Sequence, residues 1–440
     1  MHQLFIILVV LVIAISGIVI LTSKYKIHAF YALLVGSVIV GLLLLPSNQI
    51  VPALKSGFGH TMQSIGIIII LGTAIGIALD KTGATISMAN FILSKIGEKK
   101  APIAILITGF IVGLPIFCDS GFIVLSGLNN ALALRTGIPI TFMAPVLGVA
   151  LYSVHCLIPP HPGAAAAAGI LQVNMGPLML IGILIAIPTA FAGYLWIKYR
   201  SKVIVNQHVT KNQEVSQPDL PGAFHSLLPI LIPILLLTIK SIADLVFKHE
   251  GNFIFSTIAL IGDPVFALMI GLIIALTLIN RSDKDTFRHV LTDSIEKAGP
   301  ILAVIAAGGA FGYIIKETGI GQLSGSHLSA TGLGLFIPFI ITALLKTAQG
   351  SSTVAIITTA SIIAPMLEAL NLDTETGKLF TVLSMGAGSM FISHANDAYF
   401  WVITRFSNID QSDTLRLYTT ASIVMGIVAF AFILGFSFLF

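Results

Sequence analysis

The reading turns on Tyr152-Ser-Val-His-Cys-Leu-Ile-Pro-Pro-His-Pro-Gly163, which lies between two strongly apolar segments. Those flanks place it at membrane depth, yet it holds three prolines, two histidines and a glycine. Proline has no backbone donor and its ring clashes with the preceding turn, so Pro159, Pro160 and Pro162 interrupt any helix that contains them. An interruption leaves carbonyls and amides without partners. In hydrocarbon that is tolerated only where the backbone is buried in protein or lines a wet cavity. The stretch is therefore expected to be the broken middle of a transmembrane helix, with His155 and His161 beside a polar site.

The rest of the chain supports a membrane setting. Of 440 residues, 56% are apolar and 10% charged, against roughly a quarter charged in soluble domains. Apolar runs of about 20 residues recur along the length, each long enough to span as a helix. Alternating strands of about 10 residues are absent, which argues against an outer-membrane barrel. The expected fold is an all-α polytopic membrane protein. The net charge of +4 is modest. Its basic residues cluster in short loops, which suits cytoplasmic loops better than a nucleic-acid surface. The run Leu4–Leu21 lacks a basic leader and a small-residue cleavage site, and reads as a first span. Cys118 and Cys156 have no metal-clip spacing and read as two small buried thiols. Neither a metal nor a cofactor is expected.

Charge placement orders the spans. Lys24 and Lys26 follow the span Leu4–Thr22, so that loop is cytoplasmic and the N-terminus outside. His28–Leu45 returns outward, Val51–Gln63 is expected at the interface, and Ser64–Leu79 crosses inward. Pro102–Arg135 reads as a helical hairpin entering and leaving by the cytoplasmic face, with Gly113-Leu-Pro-Ile-Phe-Cys-Asp-Ser-Gly121 at its tip. Pro139–Leu171 is the broken helix, and Gly176–Ile197 returns inward. The polar segment 198–221 is the one linker, placed in the cytoplasm between 1–197 and 222–440. A repeat links these parts. Gly72-Thr-Ala-Ile-Gly-Ile-Ala-Leu-Asp-Lys-Thr-Gly83 is similar to Gly308-Gly-Ala-Phe-Gly-Tyr-Ile-Ile-Lys-Glu-Thr-Gly319. The first copy is expected to run inward and the second outward. Hairpin and break then recur: Leu333–Leu367 turns at Lys346-Thr-Ala-Gln-Gly-Ser-Ser-Thr353, and Phe380–Thr404 breaks at Ser393-His-Ala-Asn-Asp397. Thr419–Phe440 is the last span, ending outside. About ten to twelve crossing or re-entrant elements in two inverted halves is a common plan of secondary transporters.

Ionisable residues at membrane depth cost at least a few kcal/mol and are functional suspects. Asp119, His155, His161, Lys346, His394 and Asp397 all fall at expected tips or breaks. Ser120, Gln349, Ser351, Ser352, Thr353 and Asn396 add uncharged hydrogen-bonding groups. Together with exposed helix termini, whose amides suit an anion, they form a candidate site for a small hydroxylated carboxylate. Asp119, His155, His394 and Asp397 are the candidates for proton or ion coupling, histidine because it titrates near physiological pH. Sodium held by unwound carbonyls with Asp119 or Asp397 is the other coupling ion the residues allow. Plainer readings stand beside these. Either His155 or His394 could bond a neighbouring helix, Asp119 could cap its own helix, Lys346 could pair or snorkel, and the prolines could be a simple kink.

At these residues the chain resembles the gluconate permease family of proton symporters, within the larger ion-transporter superfamily. The resemblance runs along essentially the whole chain. It rests on Gly113-Leu-Pro-Ile-Phe-Cys-Asp-Ser-Gly-Phe122, on His155 with Pro159-Pro-His-Pro-Gly163, and on Ser393-His-Ala-Asn-Asp397. It implies import of gluconate or a similar sugar acid with protons across the bacterial inner membrane. Relatives that carry idonate, fructuronate, glycerate or D-serine leave the acid open, as they do pairing into a homodimer. An intramembrane enzyme is disfavoured: the chain has no His-Glu-x-x-His helix, no Gly-x-Ser-x-Gly turn and no Gly-x-x-x-x-Gly-Lys loop. A channel has no need of two inverted broken helices around a charged pocket.

Overall fold

Apolar stretches that must satisfy their own backbone become helices, and helices make up all the regular structure of the described residues. The computed structural model describes 2–97, 100–201, 220–246, 253–280, 283–319 and 333–439. The chain opens with α1 (His2–Ser23), α2 (Ala29–Leu44), α3 (Ser47–Lys81) and α4 (Ala84–Ile96). A hairpin follows, α5 (Ala101–Gly113) and α6 (Cys118–Thr136), then a broken helix, α7 (Ile140–Leu157) and α8 (Pro162–Leu171), then α9 (Met175–Ser201). Beyond 220 come α10 (Ala223–Val246), α11 (Phe253–Ile261), α12 (Pro264–Leu276) and α13 (Lys284–Glu317). Then hairpin and break recur: α14 (Phe336–Gln349) with α15 (Ser352–Ile363), and α16 (Glu375–Met390) with α17 (Ala398–Phe406). The last helix is α18 (Gln411–Ser437), which contains a π-helical turn at Leu415–Thr419.

Among the described residues, five helical stretches are long and apolar enough to cross a bilayer, and six if the bent α3 counts as one span. They differ in depth. The most apolar window of Ile140–Leu171 is 83% buried and that of Ala223–Lys240 only 28%. The broken helix is thus the centre of the molecule and α10 its rim. Outward faces such as Leu184, Ile187, Phe191 and Leu195 on α9 stay exposed, as a lipid-facing surface requires. The chain is a multi-pass membrane protein.

The two long helices α3 and α13 form the frame. A Cβ on Gly57 would strike the Gly309 carbonyl, and one on Gly309 would strike Thr61. Glycine is the residue that lets these backbones touch, since apolar burial gives no drive between helices in lipid and close packing must supply it. Further along, Lys81 pairs with Asp293 at 3.3 Å, so α3 and α13 run antiparallel. The repeated glycine pairs have matching work. Gly72 and Gly76 admit Pro160 and the Pro115 carbonyl, while Gly308 and Gly312 admit Ile357 and Ser361. Thr-Gly ends both helices alike: Gly83 (φ 71°) and Gly319 (φ 72°) are left-handed, the conformation glycine adopts without strain.

Three expectations change. Val51–Gln63 is not a separate interfacial helix but the first part of α3, which bends by 45° between Ser47–Ser64 and Gly66–Lys81. Its polar residues face outward while Ala53, Gly57 and Thr61 are buried against α13. The outward-running copy Gly308–Gly319 is the end of a long helix that starts at Lys284, because polar turns continue it. There Asp283 caps it, accepting from the Thr286 amide at 2.9 Å. His155 is still helical; the break itself is confined to 158–161. The expected linker 198–221 falls mostly outside the described residues.

Candidate functional site

Four helices begin at one place. The N-terminal residues of α6 (Cys118, Asp119, Ser120), α8 (Pro162), α15 (Ser352, Thr353) and α17 (Ala398, Tyr399) all line a single cavity of about 440 Å³. Each start has a local cause. Gly113-Leu-Pro-Ile-Phe117 ends α5 and reopens as α6; Pro162 occupies the first turn of α8, where its missing N–H costs nothing. Gly350, left-handed at φ 83°, closes α14 and packs on the Asn396 carbonyl. Ser351 then caps α15, its Oγ accepting from the Val354 amide at 3.3 Å. Asp397 caps α17, accepting from the Tyr399 amide at 3.0 Å. Each helix start directs orphan amides and a partial positive charge inward, the usual basis of an anion site. The volume lies within the range of small-molecule sites, roughly 300–1,000 Å³.

The wall holds most of the expected residues: Asp119, Ser120, His155, Gln349, Ser351, Ser352, Thr353, Asn396 and Asp397. Several carry polar atoms that are hidden from solvent and lack a hydrogen-bond partner: Asp119 Oδ1, His155 Nδ1, both amide atoms of Gln349, and Asn396 Oδ1. Leaving such an atom unmade costs about 1–3 kcal/mol, and this wall gathers five of them. Among the described residues no basic side chain forms an ion pair with Asp119.

His161, Lys346 and His394 do not line the cavity; they stand one layer behind it. His161 is buried and its Nε2 lies 2.8 Å from the Gly113 carbonyl. Lys346 is fully buried, 2.6 Å from Asp397 Oδ2, and donates also to the Gly350 carbonyl at 2.9 Å. His394 Nε2 lies 3.2 Å from the Thr347 carbonyl, which also accepts from Asn396 Nδ2 at 2.7 Å. Ser393 Oγ donates to Asp397 as well. Lys346 and Asp397 therefore neutralise each other and fix the second break to the second hairpin.

Other wall residues were not anticipated. Phe117 and Cys118 sit in the quoted hairpin motif and were readable there. Tyr152 and Tyr399 are stacked at 5.5 Å, and Tyr152 also stacks on His155 at 6.4 Å. Tyr152 lies in the opening stretch and signalled itself as an aromatic one turn before His155. His28, Pro300, Ile301 and Val304 reach the cavity from α2 and α13, and no local motif announces them.

Comparison with known proteins follows the same lines. The chain is 30% identical to the gluconate permease of Pseudomonas aeruginosa, over 98% of each chain. It is 29% identical to the Gnt-II system L-idonate transporter of Escherichia coli, over 96% of this chain and 97% of that protein. In fold it is similar to the Alcanivorax borkumensis YdaH transporter, with a TM-score of 0.63 at 13% identity, covering 92% of this chain and 96% of that one. The GntP family permease model matches residues 6–439, and the chain belongs to that family.

Proposed function

We propose that this permease imports gluconate, or a related small hydroxy or sugar acid, together with a proton across the bacterial inner membrane. One observation carries the reading: a carboxylate without an ion-pair partner, Asp119, in a cavity rimmed by four helix N-termini. The N-termini attract an anion, and an ionised Asp119 repels it. At 4 Å and an effective dielectric near 20 that repulsion is about 4 kcal/mol. A proton on Asp119 removes it, so acid and proton favour each other's binding. His155, also in the wall, is the second group able to hold the proton. His161, Lys346 and His394 act through the wall rather than on the substrate. The names of the relatives support an acid of the gluconate or idonate kind.

In this reading residues 1–197 and 222–440 are two inverted halves joined by a cytoplasmic linker, with both termini outside. The antiparallel α3 and α13 and the matched hairpins and breaks support it. The test is uptake of labelled gluconate into membrane vesicles under an imposed pH gradient. Accumulation that a protonophore abolishes and sodium does not change is the expected result. Absence of gradient-dependent uptake for every sugar and hydroxy acid tried would falsify the proposal. Asp119→Asn is expected to lose uphill accumulation while retaining gradient-independent exchange. Mass measurement on the purified protein decides between a monomer and a homodimer.

A further inference from the structure

We propose that the proton leaves Asp119 by a route the acid cannot enter, and that Asp80 is the group that receives it and passes it to the cytoplasm. The inference rests on the proton-coupled reading above and deepens it. A second, smaller space beside the cavity carries it, lined in part by Thr73, Asp80, Phe117, Ser120 and Lys297.

Phe117 and Ser120 line both spaces, so the two adjoin at those residues. They differ widely in size, about 440 Å³ for the cavity and about 10 Å³ for the neck. A water needs a space of about 10–15 Å³, so the neck has room for about one water and none for a sugar acid. The acid keeps to the wider cavity, which reaches the exposed His28. Ser120, common to both walls, has a hydroxyl that can donate and accept at once.

Asp80 lies one turn of α3 beyond Gly76, the residue on which the Pro115 carbonyl packs. The hairpin tip that carries Asp119 and Ser120 is thus held against this part of α3. The charged groups around Asp80 are Lys297 of α13, which shares the neck, its neighbour Lys81, and Asp293, which holds Lys81 at 3.3 Å. Among the described residues Asp80 and Lys297 form no ion pair, so this carboxylate is not tied up as Asp397 is by Lys346. Asp80 is half-buried while Lys81 and Lys297 are exposed, so the neck meets water at this cluster. Ending the helix does not require an acid: the second copy of the repeat has Lys316 at the matching position. Ionisable groups in such chains carry protons through membrane proteins. The O–H bond of Asp119 breaks, the proton passes by the Ser120 hydroxyl and a water, and an O–H bond forms on Asp80. Asp80 then yields that proton to cytoplasmic water, and both carboxylates are ionised again.

The experiment compares two rates in vesicles: uptake of labelled gluconate driven by a pH gradient, and exchange of labelled for unlabelled gluconate at equal pH on both sides. Asp80→Asn should slow driven uptake at least about tenfold, because each turnover must release a proton inward through a positioned acceptor. Exchange needs no such release and should change little, which also shows that the variant is folded. Asp80→Glu puts a carboxylate back and should recover most of the uptake. Lys297→Gln should leave exchange near wild type, since the acid does not use the neck. Wild-type uptake by Asp80→Asn overturns the proposal, and so does loss of exchange in step with uptake. Glutamate serving no better than asparagine overturns it as well, as does loss of exchange in Lys297→Gln. Wild-type uptake that ignores the pH gradient would instead sink the proton-coupled reading itself.

Discussion

The two helix breaks stop a helix by different means. At 158–161 the interruption is made by proline, and one side-chain hydrogen bond, His161 to the Gly113 carbonyl, ties it to the first hairpin. At 391–397 there is no proline, and polar bonds hold the chain open. Lys346 pairs with Asp397, Asn396 donates to the Thr347 carbonyl, and Trp401 donates to the Ala395 carbonyl. From α18, Thr419 donates to the Ser393 carbonyl at 2.6 Å, and the Ser393 amide donates to Ser422 at 3.0 Å. A break without proline keeps its amide donors, which need partners; the Ser393 amide finds one in Ser422. The first break removes donors instead; polar atoms without partners remain beside both breaks, on Asp119 and His155 near the first and on Gln349 and Asn396 near the second. The difference teaches that symmetry of element order does not imply symmetry of means: proline opens one break and side-chain hydrogen bonds hold the other.

Substitutions separate the two breaks. The largest effect belongs to the second. Lys346→Met strands the buried Asp397 carboxylate and should cost about 3–5 kcal/mol. Thermal unfolding in detergent reads this, and adding Asp397→Leu in the same chain should restore much of the loss. Parity of the single and double variants would break the comparison. Next comes the contact of the first hairpin with the frame. Gly76→Val drives a side chain into the Pro115 carbonyl and should cost about 1–3 kcal/mol. His161→Ala leaves one buried carbonyl unmade, for about 1–3 kcal/mol, and should stay well below Lys346→Met in the same assay. The smallest shift is expected for Ser422→Ala, about 1 kcal/mol for one of several bonds to Ser393. A larger shift from Ser422→Ala than from His161→Ala would mean that the network acts as one unit.

Much of this was legible from residue types alone. Pro159, Pro160 and Pro162 betray the first break by backbone chemistry, and Gly350 with Ser351 betrays the second hairpin. The bend in α3 was hidden because Lys55, Ser56, His60 and Gln63 interrupt the hydropathy. Its real signal is the small-residue stripe Ala53, Gly57, Thr61, spaced by four. Depth behind the wall was not legible either. Lys346, His161 and His394 have the same residue types whether they face a ligand or a carbonyl, and only the crossing of distant helices decides. His28 and Val304 reach the cavity for the same reason.

The Asp119 carboxylate in the cavity wall, without an ion-pair partner, has one more consequence. If Asp119 carries the single proton that accompanies a singly charged acid, a full transport cycle moves no net charge. Moving one elementary charge through 100 mV is worth about 2.3 kcal/mol, and an electroneutral cycle draws on none of it. Such a carrier would draw on acidity alone, reach the same accumulation in polarised and depolarised cells, and stop accumulating in alkaline surroundings whatever the voltage.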